Sequence, residues 1–260
     1  MEETQLSLSG GQYAVVAVFA FLLGTVIGSF LNVVVYRLPR GGSLVRPGSS
    51  CPSCGHAIRW YHNVPIVGWA VIRGRCRDCG EKVSVRYPLV EAITGALFLC
   101  GFFAFGLSPQ LPLALGFMAV LVPITFIDLD HHIIPDRIVL PAAGVGLAYS
   151  MLLDPSRWWQ YIISGLGAAL FLFVIALLWA GGMGMGDVKL ALLLGFVLGP
   201  QVVVGLFAAF LFGGVVGMAL LASRRKTRKD RVAFGPFLSG GAVLSLFVGP
   251  LVTEWYLGLF

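Results

Sequence analysis

The sequence predicts an all-α polytopic membrane protein of about eight transmembrane helices, with a small zinc-stapled cytoplasmic subdomain between helices 1 and 2. Three observations carry this. Of 260 residues, 58% are apolar and only 12% charged. Apolar stretches of spanning length recur along the chain, and the one long polar stretch holds four cysteines in two C-x2-C pairs. Soluble domains average about 45–50% apolar and about 25% charged residues. With a mean hydropathy of +0.89, this chain has too little polar surface to face water, so its excess apolar surface faces lipid.

A spanning helix needs about 20 mostly apolar residues. The candidates are 13–35, 89–108, 110–127, 135–153, 160–180, 188–199, 201–222 and 237–257. The sixth is short: either it starts below the membrane surface or the count falls to seven. The opening Met1-Glu2-Glu3-Thr4 is acidic where a secretory signal is basic. The run that follows is too long for a signal core and lacks a small-residue cleavage pattern, so it is expected to stay as the first span.

The net charge of +6 would suggest nucleic acid in a soluble chain. Here the cations flank spans and set topology, so membrane lipid is the expected contact and no nucleic acid is expected. With the amino terminus outside, segments 36–88, 128–134, 181–187 and 223–236 face inward. Segment 36–88 then holds Arg37, Arg40, Arg46, Arg59, Arg73, Arg75, Arg77, Lys82 and Arg86, and 224–231 adds a second basic run. Arg137 and Lys189 sit at the mouths of the short loops, leaving Arg157 outside. The inverse topology would reverse this distribution, against the positive-inside rule. The run at 224–231 is expected to be a topology anchor, with anionic lipid its secondary contact. The expected division is a first transmembrane helix (1–35), a cytoplasmic subdomain (36–88) and a membrane core (89–260).

Segment 36–88 is too small to hold much core of its own. Cys51-Pro52-Ser53-Cys54 and Cys76-Arg77-Asp78-Cys79 supply a staple. Four thiolates at this spacing can wrap one Zn²⁺ tetrahedrally, and Gly55 and Gly80 suit the knuckle turns. Two disulfides or four unrelated thiols are the rivals. The charge distribution places the loop in a reducing compartment, which disfavours disulfides. A closed four-sulfur set is structural and not catalytic. His56 and His62 are expected at the surface, and Cys100 is expected to pack within the second span.

Acids at span ends are functional candidates, because a carboxylate at a helix centre costs about 2.5–3.5 kcal/mol to insert. Two stretches stand out: Asp128-Leu129-Asp130-His131-His132-Ile133-Ile134-Pro135-Asp136, and Gly181-Gly182-Met183-Gly184-Met185-Gly186-Asp187. The topology puts both at the cytoplasmic boundary. Two adjacent carboxyls share a proton near neutral pH, so one can deprotonate a water while the other donates. The glycines let backbone approach Asp187 closely. They do not form a dinucleotide turn, which needs a preceding strand. Asp136 after Pro135 reads as an ordinary helix start. Asp130 is expected to be solvated or paired with Arg137, and His131 and His132 to be interfacial. For Asp128 and Asp187, composition alone leaves function and mere interfacial placement evenly open.

Residues at these positions carry a resemblance. Asp128 followed by Pro135-Asp136, with Gly184-Met185-Gly186-Asp187-Val188-Lys189, resembles the catalytic segments of the type IV prepilin peptidases, within the GxGD aspartyl peptidases. Gly28-Ser29-Phe30-Leu31-Asn32 through Arg37-Leu38-Pro39 resembles that family's N-terminal signature. Trp60-Tyr61-His62-Asn63-Val64-Pro65, Arg73-Gly74-Arg75-Cys76, Arg86-Tyr87-Pro88-Leu89-Val90-Glu91 with Thr94-Gly95, and Phe234-Gly235-Pro236-Phe237 are similar to further family segments.

The resemblance implies Asp128 and Asp187 as the catalytic pair, four zinc-binding cysteines, and 89–260 as an aspartyl peptidase core in the inner membrane. It implies type IV prepilins and secretion-system pseudopilins as substrates, cut after a glycine at the cytoplasmic face. It also implies N-methylation of the new amine with S-adenosylmethionine, and associates Glu91 and Gly95 with that step. The residues alone give Glu91 and Gly95 helix-end polarity and close packing. A basic leader would be attracted by acids such as Asp130 and Asp136. The competing readings are another GxGD intramembrane peptidase, a transporter using the same aspartates for ion coupling, and a zinc-stabilised assembly subunit without catalysis. The cysteine box and N-terminal signature oppose the first, and the lack of paired broken helices opposes the second.

Overall fold

The structure, a computed structural model, describes residues 9–51, 53–178, 183–223 and 232–258. The basic run at 224–231 and the pair Gly181-Gly182 lie outside the described residues. The chain divides into two compact units, Met1–Leu111 and Pro112–Phe260.

The first unit pairs helix α1 (Gly10–Arg37) with helix α3 (Arg86–Phe105), and carries between them a loop-rich segment with the five-residue helix α2 (Val67–Val71). Close backbone approach holds the pair. A Cβ on Gly24 would lie 2.7 Å from the Thr94 carbonyl oxygen and 2.8 Å from the Gly95 Cα, and one on Gly28 would lie 2.8 Å from the Glu91 Cα. Lipid tails offer no hydrophobic incentive for helices to associate, so small residues that admit dense packing do this work. The spacing Gly24-x3-Gly28 is a sequence sign of such a seam, and it is absent from the expectations above. Buried Thr94 donates to the Val90 carbonyl, and Asn32 donates to the Tyr87 carbonyl at 3.1 Å. Cys100 is exposed on α3, so it does not pack inside the pair as expected.

The second unit continues with α4 (Gln110–His131), α5 (Asp136–Leu153), α6 (Trp158–Leu178), α7 (Met185–Leu198), α8 (Val202–Ala222) and α9 (Gly235–Leu257). Helix α7 is its centre. It packs against α5, α6 and α9, and Leu190, Ala191, Leu193 and Leu194 are fully buried on successive faces. A helix that is apolar all round is a core helix. That explains its shortness: 14 residues rise about 21 Å, and a helix enclosed by protein need not match the thickness of the hydrocarbon.

By length and composition, seven described helices could cross a membrane, with Met185–Ala222 counted as one. The backbone breaks inside that stretch at Gly199, whose φ is +58°, and a short 3₁₀ turn through Pro200 separates α7 from α8. The eight expected segments are therefore all present as helices. Two boundaries moved in ways that matter for the site. Helix α4 runs on to His131, so Asp128 lies in its last turns, and α7 starts at Met185, so Asp187 lies in its first turn and not in the preceding loop.

Gly24→Val should force α1 off α3 and lower stability by about 1–3 kcal/mol. Thermal unfolding of the purified protein in detergent reads this. Gly167→Val, where a Cβ would meet nothing within 4 Å, should leave the midpoint nearly unchanged.

Candidate functional site

Asp128 and Asp187 are 59 positions apart and both buried, at 5% and 8% exposure. They come from opposite ends of their helices. Asp128 lies near the carboxyl end of α4, which stops where His132 turns left-handed at φ +53° and its N–H closes on the Asp128 carbonyl at 2.9 Å. Asp187 is in the first turn of α7, where its Oδ2 accepts the Gly184 N–H at 3.0 Å. That bond is half of a capping box, and an acid there complements the positive helix end.

Three contacts bring the two helix ends together. A Cβ on Gly186 would lie 2.9 Å from the Ile134 Cβ, so only glycine lets the segment after α4 lie against the start of α7. Lys189 Nζ reaches Asp136 Oδ1 and Oδ2 at 2.8 and 2.7 Å, tying α7 to the first residue of α5. Pro135, expected as the first helical residue, instead precedes α5 in extended conformation, and the helix starts one position later at Asp136. Finally, Asp128 Oδ2 accepts the backbone N–H of Gly235, the first residue of α9, at 2.9 Å. The two carboxyl groups are close enough to interact electrostatically.

Gly235 is the functional position that sequence reasoning passed over as a family likeness alone. A Cβ there would lie 2.7 Å from Asp128 Oδ2. The signal available was a glycine followed by proline at a helix start, the usual form of a helix beginning; nothing in it pointed to a partner 107 residues away. Asp136 departs from the sequence reading in a second way. Its carboxylate is engaged by Lys189, which leaves it poorly suited to attract the basic leader of a substrate.

The four cysteines form a second centre in the first unit. Their sulfurs all lie within 4.8 Å of one another, and Cys51 and Cys79 approach to 3.8 Å. Bonds of about 2.3 Å from zinc to sulfur imply tetrahedral edges of about 3.8 Å, so the donor set fits Zn²⁺. The two knuckles share one geometry. Gly55 and Gly80 have φ of +74° and +75°, and their N–H groups close on the carbonyls of Cys51 and Cys76 at 2.9 Å each.

Backbone N–H groups of Cys54 and Ser53 hold the Cys51 thiol down to about 6. Cys79 is pushed up to about 12: the Glu81 amide favours its thiolate, but desolvation and hydrogen bonds with the other three sulfurs outweigh it. Four thiolates therefore need a cation to coexist here. Among the described residues, His56 and His62 are not in the cluster.

Glu91 and Gly95 lie on α3. Glu91 is 7% exposed, and its Oε2 accepts the Ile66 N–H at 2.7 Å. A Cβ on Gly95 would lie 2.7 Å from the Thr25 Cγ2 and 3.0 Å from the Phe21 ring.

Comparison with known proteins gives two family-model matches: the bacterial peptidase A24 N-terminal domain over residues 22–105, and the type IV leader peptidase family over residues 114–218. The chain is similar to a prepilin leader peptidase/N-methyltransferase of Myxococcus xanthus, with 42% identity over 84% of this chain and 67% of the relative. Proteins of the same description from Burkholderia pseudomallei and Bacillus subtilis are 35% and 31% identical. They cover 92% and 91% of this chain, and 86% and 96% of their own lengths. No solved structure matches the chain.

Replacing Cys54 and Cys79 together by Ser should reduce bound zinc from about one ion per chain towards none, since a closed site needs all four ligands. Elemental analysis of the purified protein measures this. Cys100→Ser should leave the zinc content unchanged.

Proposed function

We propose, from the premise that this chain belongs to the type IV leader peptidase family, that it cleaves the leader from type IV prepilins and pseudopilins with Asp128 and Asp187. The observation that carries this reading is that two buried carboxyls, at the ends of two membrane helices, lie within electrostatic range of each other. One peptide bond at a membrane boundary needs one acid–base pair at that depth. The charge distribution favours a multi-pass inner-membrane protein with its amino terminus outside and 36–88, Asp128 and Asp187 on the cytoplasmic side. A substrate leader rich in Lys and Arg would stay on that same side for the same reason, with its scissile glycine at the boundary.

The reaction needs one carboxyl ionised and its neighbour protonated, the state that two adjacent acids adopt. In each, Oδ2 takes a backbone N–H from a helix start, Gly235 for Asp128 and Gly184 for Asp187. The Oδ1 of each would be the oxygen that faces water and substrate. The ionised carboxylate takes a proton from water as the water oxygen attacks the scissile carbonyl carbon, and the protonated carboxyl donates to the carbonyl oxygen. As the tetrahedral adduct collapses, the proton taken from water passes to the leaving nitrogen, the other carboxylate takes back a hydroxyl proton as the carbonyl reforms, and the C–N bond breaks. The pair ends as it began. Apparent pKa values in a rate profile belong to the pair and not to either residue.

The names of the relatives also support a second step, N-methylation of the new amine. S-adenosylmethionine would supply an electrophilic methyl group to that nitrogen. The segment around Glu91 and Gly95 is the part of this chain that the resemblance associates with the step. The four cysteines would hold Zn²⁺ structurally, fixing the fold of 36–88, which has little core of its own.

Asp128→Asn and Asp187→Asn should each abolish cleavage of a prepilin by the purified enzyme, by a factor of at least about 10² because both acids act in one proton cycle. Electrophoresis of precursor and mature substrate gives the rate. Full cleavage by either variant would sink the assignment. Gly235→Ala should also reduce cleavage severely with the zinc content unchanged, since its Cβ would displace the Asp128 carboxylate.

A further inference from the structure

Glu91 occupies the second turn of α3, where an acid at a span end would be expected to reach water or a cation. It does neither. Its Oε2 accepts the Ile66 N–H at 2.7 Å, and the Ser29 hydroxyl of α1 lies near the same carboxylate. The approach is possible because Gly28 presents no side chain to the Glu91 Cα.

Ile66 is in an unusual state. Its φ is +61° and its ψ −54°, and the Val67 N–H folds back to the Pro65 carbonyl at 2.6 Å. That is the positive-φ γ-turn, the rare and strained form. A β-branched residue tolerates it least. Such a conformation persists only where its surroundings over-determine it, and strain of this kind collects at functional segments.

Here the surroundings are few. Ile66 is the residue from which α2 starts, the Gly68 N–H closes on the Val64 carbonyl at 2.7 Å, and the Trp69 indole N–H donates to the Val83 carbonyl at 3.0 Å. The turn therefore sets the direction in which Trp60–His62 passes into α2. Buried Glu91 ties it to the α1–α3 pair.

We infer that Glu91 is a positioning residue whose carboxylate locks the strained Ile66 turn, and that methylation depends on the resulting arrangement of residues 60–71, not on contact between Glu91 and the methyl donor. The functional half of this rests on the methylation reading above. It also accounts for Gly95, which sets the α1–α3 separation across which Glu91 must reach. A double replacement separates strain from charge. Gln keeps the acceptor and loses the charge, and glycine at 66 adopts positive φ without strain.

The test uses full-length wild type, Glu91→Ala, Glu91→Gln and the double variant Glu91→Ala/Ile66→Gly in detergent, with a prepilin and S-adenosylmethionine. Cleavage, methylation by mass spectrometry, and hydrogen exchange of peptides spanning 60–72 are read on the same samples. In Glu91→Ala, exchange at Ile66 should quicken and methylation should fall by at least about tenfold each, with cleavage within about twofold of wild type, as loss of a bond to a charged acceptor implies. Glu91→Gln should retain most methylation, and Ile66→Gly should recover part of what Glu91→Ala lost. Unchanged exchange in Glu91→Ala, or a Glu91→Gln enzyme as defective in methylation as Glu91→Ala, would overturn the proposal. Absence of methylation by the wild type would overturn the methylation reading instead, while the exchange measurement would still decide whether Glu91 holds the turn.

Discussion

A carboxylate removed from water must find donors in the protein, and at Asp128 and Asp187 it finds them at helix starts. Asp128 takes the first N–H of α9 and Asp187 takes the N–H of Gly184 at the start of α7. The first four N–H groups of a helix have no partner within it, and the helix end carries partial positive charge. A buried acid and a bare helix start satisfy each other here through backbone N–H groups. The arrangement orients both acids, and among the described residues neither is held in an ion pair. The nearby ion pair of Lys189 with Asp136 lies on exposed side chains and holds elements together.

Close approach of backbones recurs wherever a polar contact must be reached. Gly186 admits Ile134 beside Asp187, Gly235 admits the Asp128 carboxylate, and Gly28 admits α3 at Glu91. A methyl group at any of the three would separate a pair of groups that the site or the subdomain needs in contact. Glycine in these places is a matter of distance, and at Gly55 and Gly80 it is one of backbone conformation instead. The two units thus use the same device for different ends: one brings backbone up to Asp128 and beside Asp187, the other fixes a polar loop-rich segment to a pair of helices.

Much of the frame was legible in order. The eight apolar segments, their approximate bounds and the cysteine cluster follow from hydropathy and from C-x2-C spacing, because lipid and metal impose strict rules on length and ligand number. The acids were legible as candidates, because a charge at a span end is rare enough to need a reason. The placement of Cys100 was misjudged, since an apolar helix without a polar face gives no sign of which side meets its neighbour. The seam at Gly24 and Gly28 was open to reading in its spacing and was missed.

The amino-acid sequence by itself determined that the chain is helical and membrane-spanning, where its polar insertion lies, and which acids and thiols are available. Only the tertiary structure decided that Asp128 and Asp187 are both buried within electrostatic range, that Gly235 bonds Asp128 across 107 positions, that α7 packs against α5, α6 and α9, and that the Glu91 carboxylate bonds the Ile66 N–H. The division has a physical cause. Partition into lipid and metal ligation by near neighbours depend on composition and spacing along the chain. The partner of a buried carboxylate depends on which helix start packs against it, and no local pattern encodes that.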